Sequence, residues 1–435
     1  MIKRIPLFFL ATLLVFLSAV TVQSQDIYKK IEELSDKIEP KVIEWRRHFH
    51  ENPELSNREF KTAEKIAAHL KALGLEVKTG VAHTGVVGLL KGGKPGPVIG
   101  LRADIDALPV TERVDIPFAS KAKSNYNDKE VGVMHACGHD THIAMLMGVA
   151  EVLTAIKSDI KGTVKFIFQP AEEGAPDGEE GGAKLMIKEG VLDNPKVEVV
   201  FGLHINSQTE VGKIRYKPNG IMAASNTFTI KVKGKQTHGS TPWTGVDPIV
   251  ASAQIIMGLQ TVVSRQTALT TEAAVISVGI VEGGVRSNII PEEVNLTGTI
   301  RTLDYGMRKI IFEKIKHTAM KIAESSGATA EVNIHDGYQI TFNDPALTTQ
   351  MLPSLQRAAG KENVALTHAW TGAEDFSFFS EKVPGLYFFL GGMPKGKNVK
   401  DAAPHHTPDF YLDESGMKLG VKTFCNLVVD YGNAK

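Results

Sequence analysis

Short apolar runs alternate with helical patterns over the first half of the chain. Three runs are apolar enough for strands that are buried on both faces, and they span residues 97–101, 164–168 and 199–203. Apolar residues three and four apart predict helices between them, over 141–156 and 182–189. This alternation is typical of a mainly parallel sheet covered by helices, whose functional sites gather beyond the carboxyl ends of the strands.

Helical patterns also mark both ends of the folded chain. Residues 27–73 have helical spacing, and Gly74 follows them in the position expected of a C-terminal cap. Residues 416–431 predict a C-terminal amphipathic helix that contains Cys425. We expect Cys425 to be a buried thiol, because an isolated cysteine in a helix most often packs as a small apolar residue.

The pattern changes near residue 223. The predicted elements after this point are a period-two strand at 225–233, a helix at 248–264, strands at 273–280 and 293–301, a helix at 305–325 and a strand near Glu331. This order is typical of a ferredoxin-like domain. We therefore predict an α/β protein whose mainly parallel catalytic domain, residues 25–222 and 337–435, is interrupted by an inserted α+β ferredoxin-like domain over residues 223–336.

The N-terminus has the features of an export signal. Lys3 and Arg4 precede an apolar run over residues 5–22, and small residues follow near Ser24. We predict a signal peptide over residues 1–24 and a periplasmic or secreted protein that has no membrane association after cleavage. The alternative is an uncleaved membrane anchor, since the run is at the lower limit of length for a spanning helix.

Composition excludes several other classes of protein. The 435 residues are enough for two or three domains, and 49 Lys+Arg residues balance 49 Asp+Glu residues. A chain without net charge has no overall field to attract nucleic acid, so we expect no nucleic-acid partner. With Cys137 and Cys425 as its two cysteines, the chain cannot form a scaffold of several disulfides.

Polar clusters follow the predicted buried strands, where side chains from distant parts of the chain meet. They comprise residues 102–106, 169–174 and His204, together with residues 135–142 before a helix and 404–407 near the C-terminus. Cys137 and His139 flank Gly138, so a tight turn would direct a thiolate and an imidazole at one ion.

The number of donors in these clusters indicates two metal ions. Glu173, His204 and one histidine of the His405–His406 pair bring the set to five, which exceeds the four of a closed zinc site. Any one of these histidines alone would be interpreted as a structural residue. The five donors together favour a metal centre. Glu172, next to Glu173, is the candidate general base, and the alternative is that both are solvated acids. Asp104 is a candidate to accept a hydrogen bond from the ring nitrogen of a ligand histidine that does not bind the metal.

At these residues the chain resembles the M20 family of metallopeptidases and amidohydrolases, in the branch of aminoacylase-like, hippurate-hydrolase-like and auxin-conjugate-hydrolase-like enzymes. The motifs that carry the resemblance are RRHFHENPEL (46–55), LRADIDALP (101–109), MHACGHD (134–140), QPAEEG (169–174), GAEDF (372–376) and HTP (406–408). The resemblance implies a two-metal centre bridged by Cys137, with His139 and His204 on one ion and Glu173 and His406 on the other. It selects His406 over His405, because a small polar residue and a proline follow His406.

The resemblance also assigns the inserted domain as a lid through which two chains form a homodimer. His238 matches the lid histidine that reaches across the dimer to the developing oxyanion, although Gly239 and Ser240 depart from the commoner His-Ala-Ala sequence. Asn288 and Arg301 match positions that contact substrate. The guanidinium of Arg301 would hold an α-carboxylate through two parallel hydrogen bonds; the alternative is a salt bridge within the lid.

Together with these observations, the resemblance implies an exported amidohydrolase that cleaves the amide bond of N-acyl or aromatic-acyl amino acids by attack of a hydroxide held between two metal ions. A dipeptidase or carboxypeptidase with the same centre is the alternative substrate class, and a metal- or solute-binding protein without turnover is a remote one. Thiolate and imidazole ligands favour two Zn²⁺ ions, but metal availability also allows Mn²⁺, Co²⁺ or Ni²⁺.

Overall fold

The computed structural model describes residues 7–435, with their side chains from residue 26 onward. The predicted signal peptide over residues 1–24 therefore lies outside the residues whose side chains are described. Among the residues whose side chains are described, no helix has both the length and the apolar character that crossing a membrane requires.

The helices are α1 (Leu7–Glu51), α2 (Phe60–Ala72), α3 (His139–Ala155), α4 (Gly182–Lys188), α5 (Pro248–Gln266), α6 (Tyr305–Ser325), α7 (Pro345–Ala359), α8 (Phe376–Ser380) and α9 (Met417–Ala434). The strands are β1 (Glu76–Val81), β2 (Gly85–Lys91), β3 (Lys94–Asp104), β4 (Lys123–Tyr126), β5 (Lys129–Gly132), β6 (Lys161–Gln169), β7 (Val199–Glu210), β8 (Ile214–Tyr216), β9 (Asn219–Met222), β10 (Ala224–Lys233), β11 (Thr237–His238), β12 (Ala274–Gly283), β13 (Ile289–Ile290), β14 (Glu293–Thr302), β15 (Thr329–Asp336), β16 (Thr341–Asn343), β17 (Val364–Leu366) and β18 (Gly385–Met393). These elements divide into two compact units.

The first unit contains the described residues up to Tyr216, together with Pro345–Leu366 and Val383–Lys435. Its eight-stranded sheet has the order β1-β2-β6-β3-β7-β18-β8-β17. The four central strands, β6, β3, β7 and β18, are parallel to one another. This confirms the predicted mainly parallel sheet, and the carboxyl ends of the parallel strands meet at one edge.

Helix α3 is buried along nearly its whole length, which explains its mostly apolar sequence. Helix α9 packs against it, and Gly420 makes this close approach possible. A Cβ atom at Gly420 would lie 2.2 Å from the sulfur atom of Met145. Cys425, also on α9, is a buried free thiol, as predicted.

The second unit contains Lys217–Asp344 and Thr367–Lys382. Its main sheet is antiparallel throughout and has the order β12-β14-β10-β15. Phe228 and Ile230 on β10 form a buried core with Ile255 of α5 and Ile311 of α6. Two helices on a four-stranded sheet in this order are the ferredoxin-like arrangement that the sequence predicts for the insertion.

Two details differ from the sequence prediction. The helical pattern over 27–73 is two helices, because α1 ends at Glu51, just before Asn52 and Pro53, and α2 begins at Phe60. The second unit also extends beyond the predicted limits of 223 and 336 and includes Thr367–Lys382. Backbone pairing between Met222 and Trp370 fixes that distant segment to the unit, and no local pattern in the sequence reports such a contact.

Candidate metal centre

The predicted donors converge at the carboxyl edge of the parallel strands of the first unit. Glu172 and Glu173 follow the end of β6, and His204 lies on β7, which is separated from β6 by β3 in the sheet. Cys137 and His139 flank Gly138, whose φ of +97° forms the turn into α3. A side chain at this glycine would collide with Ile205, because a Cβ would lie 2.6 Å from the Ile205 Cγ2 atom. The turn therefore requires glycine on both conformational and steric grounds.

The sulfur of Cys137 lies at the centre of the donor set. Its Sγ atom is 3.3 Å from Nε2 of His204 and 3.3 Å from Nε2 of His406. The Oε1 atom of Glu173 is 3.1 Å from Nε2 of His406 and 3.9 Å from Nε2 of His139. The structure thus brings together all five predicted donors, while their division between two ions stays a prediction.

Hydrogen bonds to backbone carbonyls occupy Nδ1 of His139 and Nδ1 of His204, two of the predicted donors. Nδ1 of His139 donates to the carbonyl oxygen of Asp106 at 2.8 Å, and Nδ1 of His204 donates to the carbonyl oxygen of Ile205 at 2.6 Å. In each neutral ring the lone pair then lies on Nε2. Nε2 of His139 is buried and has no hydrogen-bond partner among the described residues. A buried nitrogen in this state fits a metal ligand.

His405 and His406 differ in the nitrogen that each offers. Nε2 of His405 accepts the backbone N–H of Ser207 at 3.3 Å, so its proton lies on Nδ1, which donates to the carbonyl oxygen of Cys137 at 3.1 Å. Both nitrogens of His405 are therefore occupied, although its Nδ1 lies 3.8 Å from the Cys137 sulfur. His406 directs Nε2 at the Cys137 sulfur and has φ of +64°, a conformation that side-chain-bearing residues rarely adopt.

Asp104 binds His142, which is not one of the predicted ligand histidines. Its Oδ1 atom accepts a hydrogen bond from Nδ1 of His142 at 2.6 Å, and its Oδ2 atom accepts one from Arg102 at 2.7 Å. Nε2 of His142 in turn accepts the backbone N–H of Ile205 at 2.9 Å. Through His142, Asp104 thus holds the backbone of β7 next to His204. The Asp104 carboxylate also lies 3.8 Å from Nε2 of His139. Asp106, which sequence reasoning did not single out, orients His139.

The charges at the site favour a bound cation. Burial raises the pKa of the Cys137 thiol well above its usual range, and the carboxylates of Glu173, Glu172 and Asp104 raise it further. Burial opposes protonation of His139, but Asp104, Asp106 and Glu173 outweigh it and raise the pKa of His139 to about 10. Without a metal, protons balance these buried carboxylates. Divalent cations would replace those protons and leave a thiolate and a neutral imidazole as ligands. Thiolate, imidazole and carboxylate donors at these separations therefore fit a divalent metal centre.

Glu172 is placed beside this donor set and is not needed to complete it. Its side chain is buried, and its Oε2 atom is 3.9 Å from Nε2 of His139. The neighbouring acids Glu179 and Glu180 are instead paired on the surface with Arg58 and Lys188. Burial next to the predicted donors distinguishes Glu172 from an ordinary solvated acid and places a carboxylate that can accept a proton at the site.

A cavity of about 580 Å³ adjoins the donors. Glu173 and Gly174 line one part of it, and Leu55, Leu108 and Tyr126 contribute apolar surface. A cavity of mixed polarity beside a metal centre is the usual form of a small-molecule site.

The remaining predicted residues lie in the second unit. His238 on β11 pairs with Ile289 on β13, and Asn288 immediately precedes β13. The carbonyl oxygen of Asn288 accepts the N–H of Gly239 at 2.8 Å, so His238 and Asn288 share one two-stranded ribbon. Arg301 lies on β14 and donates to the hydroxyl oxygens of Ser225 and Thr299, both at 2.6 Å.

An α/β domain with a cysteine, histidines and carboxylates gathered at its sheet edge defines a metal-dependent hydrolase. The family model described as Peptidase family M20/M25/M40 matches residues 100–430. The chain belongs to this family, whose members hydrolyse amide and peptide bonds. The prediction of an M20 enzyme is thereby confirmed, and a protein without turnover is not supported.

Relatives and solved structures agree with this placement. The chain is 41% identical to thermostable carboxypeptidase 2 of Saccharolobus solfataricus, over 94% of this chain and 100% of that protein. It is 37% identical to N-acetylcysteine deacetylase of Bacillus subtilis, over 89% of this chain and 96% of that protein. The crystal structure of the Bacillus subtilis YXEP protein, a dinuclear metal binding peptidase from the M20 family, matches with a TM-score of 0.77 and 35% identity, covering 92% of this chain and 100% of that one.

The two adjacent C-terminal histidines provide a matched test of the ligand assignment. We expect His406→Gln to weaken metal binding by more than the roughly 10- to 100-fold typical of removing an outer partner of a ligand. His405→Gln should leave the metal stoichiometry unchanged, because both nitrogens of His405 are occupied by backbone groups. Competition with a chromophoric chelator measures both affinities. Metal loss in His405→Gln and retention in His406→Gln would reverse the assignment.

Proposed function

We propose that this enzyme is an exported amidohydrolase that removes the acyl group from N-acyl amino acids. The proposal of export rests on the charged and apolar N-terminal sequence, and the proposal of substrate rests chiefly on Arg301. The similarity to an N-acetylcysteine deacetylase supports the same substrate class.

Arg301 is a cation without an anionic partner. Its guanidinium bonds only to neutral groups, and no carboxylate among the described residues pairs with it. Burial alone lowers its pKa, as expected of a charge that nothing opposite in sign compensates. The alternative of a salt bridge within the lid therefore lacks its acidic residue. A half-buried, uncompensated guanidinium is suited to bind the α-carboxylate of an amino acid.

The chain's own residues account for the movement of protons. When bound, two divalent ions would polarise the scissile carbonyl and lower the pKa of water at the site. Glu172 accepts a proton from the attacking water as the new C–O bond forms. It then gives that proton to the leaving nitrogen as the C–N bond breaks, so the products are a carboxylate and a free amino acid.

His238 is arranged to donate a hydrogen bond. Its Nδ1 atom accepts the backbone N–H of Ser240 at 3.1 Å and lies 2.7 Å from the Ser240 hydroxyl. The ring proton of the neutral imidazole therefore lies on Nε2, the nitrogen that faces away from the loop. We propose that this Nε2–H stabilises the oxyanion of the tetrahedral intermediate, a contact worth on the order of 3–4 kcal/mol in hydrolases.

A dipeptidase or carboxypeptidase is the second candidate, favoured by 41% identity to a thermostable carboxypeptidase. The two functions share Arg301 and Glu172 and differ in the group on the other side of the amide. Rates on N-acyl amino acids and on dipeptides with the same C-terminal residue distinguish them. A preference for dipeptides would replace the first proposal with the second.

Arg301→Ala should raise KM for N-acyl amino acids by roughly 10- to 100-fold, because hydrogen bonds to a charged group contribute about 1.5–3 kcal/mol. The matched substrate is the corresponding N-acyl amino acid amide, which has no carboxylate. We expect the variant and the wild type to hydrolyse this amide with similar KM. Equal losses on both substrates would show that Arg301 does not bind the carboxylate.

We propose that two Zn²⁺ or two Mn²⁺ ions serve the enzyme, with Co²⁺ or Ni²⁺ as substitutes. The cysteine and histidine donors favour Zn²⁺ by affinity, whereas the carboxylate of Glu173 is also compatible with Mn²⁺. Reconstitution of the metal-free enzyme with each ion, followed by rate measurement, ranks them.

We also propose that two chains form a homodimer through the second unit. Strand β12 is an edge strand, and its Ile280 and Val281 are exposed by 50% and 58%. Met257 on the nearby α5 is also exposed. An apolar edge strand is a ready surface for pairing with a second copy.

Disrupting this edge should give monomers. Light scattering of the wild type should give about twice the mass of one chain, and the double variant Ile280→Lys/Val281→Lys should give the mass of one. Met320→Lys places one such positive charge on an exposed position of α6, away from the β12 edge, and should stay dimeric. A dimeric double variant would place the interface elsewhere.

A further inference from the structure

The backbone that carries Glu172 and Glu173 has an unusual conformation one residue earlier. Ala171 has φ of +52°, in the left-handed region that residues with a side chain rarely adopt. Such a conformation persists where surrounding contacts hold it in place. The neighbours of Ala171 therefore determine the direction in which the chain presents Glu172.

The carboxylate of Glu59 provides one of these contacts. Glu59 is fully buried, and its Oε1 atom accepts the backbone N–H of Ala171 at 2.9 Å. Its Oε2 atom accepts the hydroxyl of Thr84 at 2.6 Å. Burial, followed by the nearby charge of Asp106, raises the pKa of Glu59 to about 8. A carboxylate in so unfavourable an environment requires a reason for its presence.

Capping of α2 does not supply that reason. Glu59 occupies the N-cap position of α2, but its side chain makes no capping hydrogen bond. Glu54 performs this role instead, since its carboxylate accepts the N–H groups of Lys61 and Thr62 at 3.2 Å and 2.9 Å. The Glu59 carboxylate is therefore directed entirely toward Ala171 and Thr84.

A second carboxylate holds the other side of Glu172. Oδ2 of Asp106 accepts the backbone N–H of Glu173 at 3.0 Å and the hydroxyl of Ser56 at 2.7 Å. The two peptide N–H groups that flank Glu172 are thus bound by carboxylates from two distant parts of the chain. These two hydrogen bonds fix the backbone on both sides of Glu172 and thereby the direction of its side chain.

We propose that Glu59 is a positioning residue for hydrolysis, which fixes the left-handed Ala171 peptide and thereby aims Glu172 and Glu173. This inference rests on the proposed function of Glu172 as general base. Glu59 acts through the backbone and does not touch the reacting atoms. The contact between Oε1 and the Ala171 N–H carries this role, whereas the Thr84 hydroxyl only occupies the second oxygen of the carboxylate.

Glu59→Leu should lower kcat by about 10- to 100-fold with KM within a factor of two, since a misplacement of about 1 Å can reduce turnover about 100-fold. Glu59→Asp, whose side chain is one methylene shorter, should likewise lower kcat and leave KM nearly unchanged. This variant keeps the carboxylate and provides the test if Glu59→Leu fails to fold. Thr84→Val removes the other partner of Glu59 and should change kcat by less than threefold.

A second-site change separates positioning from general destabilisation. Glycine adopts positive φ without strain, so Glu59→Leu/Ala171→Gly should recover at least a third of the wild-type kcat. A folded Glu59→Leu or Glu59→Asp enzyme with wild-type kcat would overturn the proposal. A fall in kcat with an equal rise in KM, which Ala171→Gly does not reverse, would also overturn it.

The visible spectrum of the Co²⁺-loaded protein distinguishes this proposal from the proposed function. Glu59→Leu should alter the Co²⁺ absorption bands, because Glu173 shifts, while Thr84→Val should not. If the wild type hydrolyses neither N-acyl amino acids nor dipeptides, the proposed function is rejected. Altered Co²⁺ bands in Glu59→Leu would then still support the positioning role. Identical bands in both variants and the wild type would reject the positioning role.

Discussion

Glu172→Gln is expected to retain the full metal content and to hydrolyse N-acyl amino acids about 10²- to 10⁴-fold more slowly than the wild type. The amide has nearly the shape of the carboxylate but cannot accept the proton of water or return it to the leaving nitrogen. Glu172 lies beside the five donors and is not needed among them, so metal binding should persist. Metal analysis and steady-state rates on the same preparation measure both effects.

Glu180→Gln is the matched control for this change. Glu180 lies on the surface in a pair with Lys188, and its loss should leave both metal content and turnover unchanged. Wild-type turnover in Glu172→Gln would remove Glu172 from the mechanism. Loss of metal in Glu172→Gln would instead make Glu172 a ligand.

Cys137→Ser is expected to have the largest effect on metal binding. Cys137 Sγ lies 3.3 Å from a nitrogen of His204 and 3.3 Å from one of His406, so one substitution affects donors of both predicted ions. A serine hydroxyl stays protonated near neutral pH and is a poor substitute for a thiolate. Affinity should fall by more than about 100-fold, beyond the loss that an outer partner of a ligand causes, and turnover should fall with it.

Cys425→Ser provides the corresponding control, since Cys425 is buried in α9, away from the donor set. Its metal content should equal that of the wild type. Thermal denaturation with and without added metal adds a second readout, because an ion that binds only the folded chain stabilises it. A Cys137→Ser variant as metal-rich and as active as the parent would contradict the account.

The sequence predicts the features that local patterns determine. Strands β3, β6 and β7 are continuous apolar runs because both faces of the sheet are covered, and polar clusters follow them at the edge where donors meet. The turn at Gly138 is also local, and it predicts that Cys137 and His139 point to one place. Four of the donors, and the histidine pair that contains the fifth, could therefore be named from residue types, strand ends and the turn at Gly138, and the family resemblance then selects His406.

Features that depend on distant contacts could not be predicted in this way. Arg46 and His50 on α1 both bind the carboxylate of Asp140, across 94 and 90 residues of sequence. In the sequence, Asp140 directly precedes the helix predicted over 141–156, and no local pattern indicates these two partners. Similarly, His142 is distinguished from His139 only by the backbone N–H of Ile205 that occupies its Nε2 atom.

The resemblance already selects His406 over His405 from the sequence, and the hydrogen-bond partners add the physical reason, because both ring nitrogens of His405 are occupied by backbone groups. The charge pattern around 59 gives no indication that Glu59 binds Ala171, since the two lie 112 residues apart. Sequence patterns thus located the donors, and three-dimensional contacts showed which histidine ring nitrogens are occupied by backbone groups.

The central claim is that Cys137 is a thiolate ligand shared by two metal ions. Anomalous diffraction at the absorption edge of Zn²⁺ or Mn²⁺, from crystals of the metal-loaded protein, tests it most directly. The account predicts two anomalous peaks in each chain, both within bonding distance of the Cys137 sulfur, with His406 rather than His405 as a ligand. A single peak, or two peaks that do not share this sulfur, would contradict it.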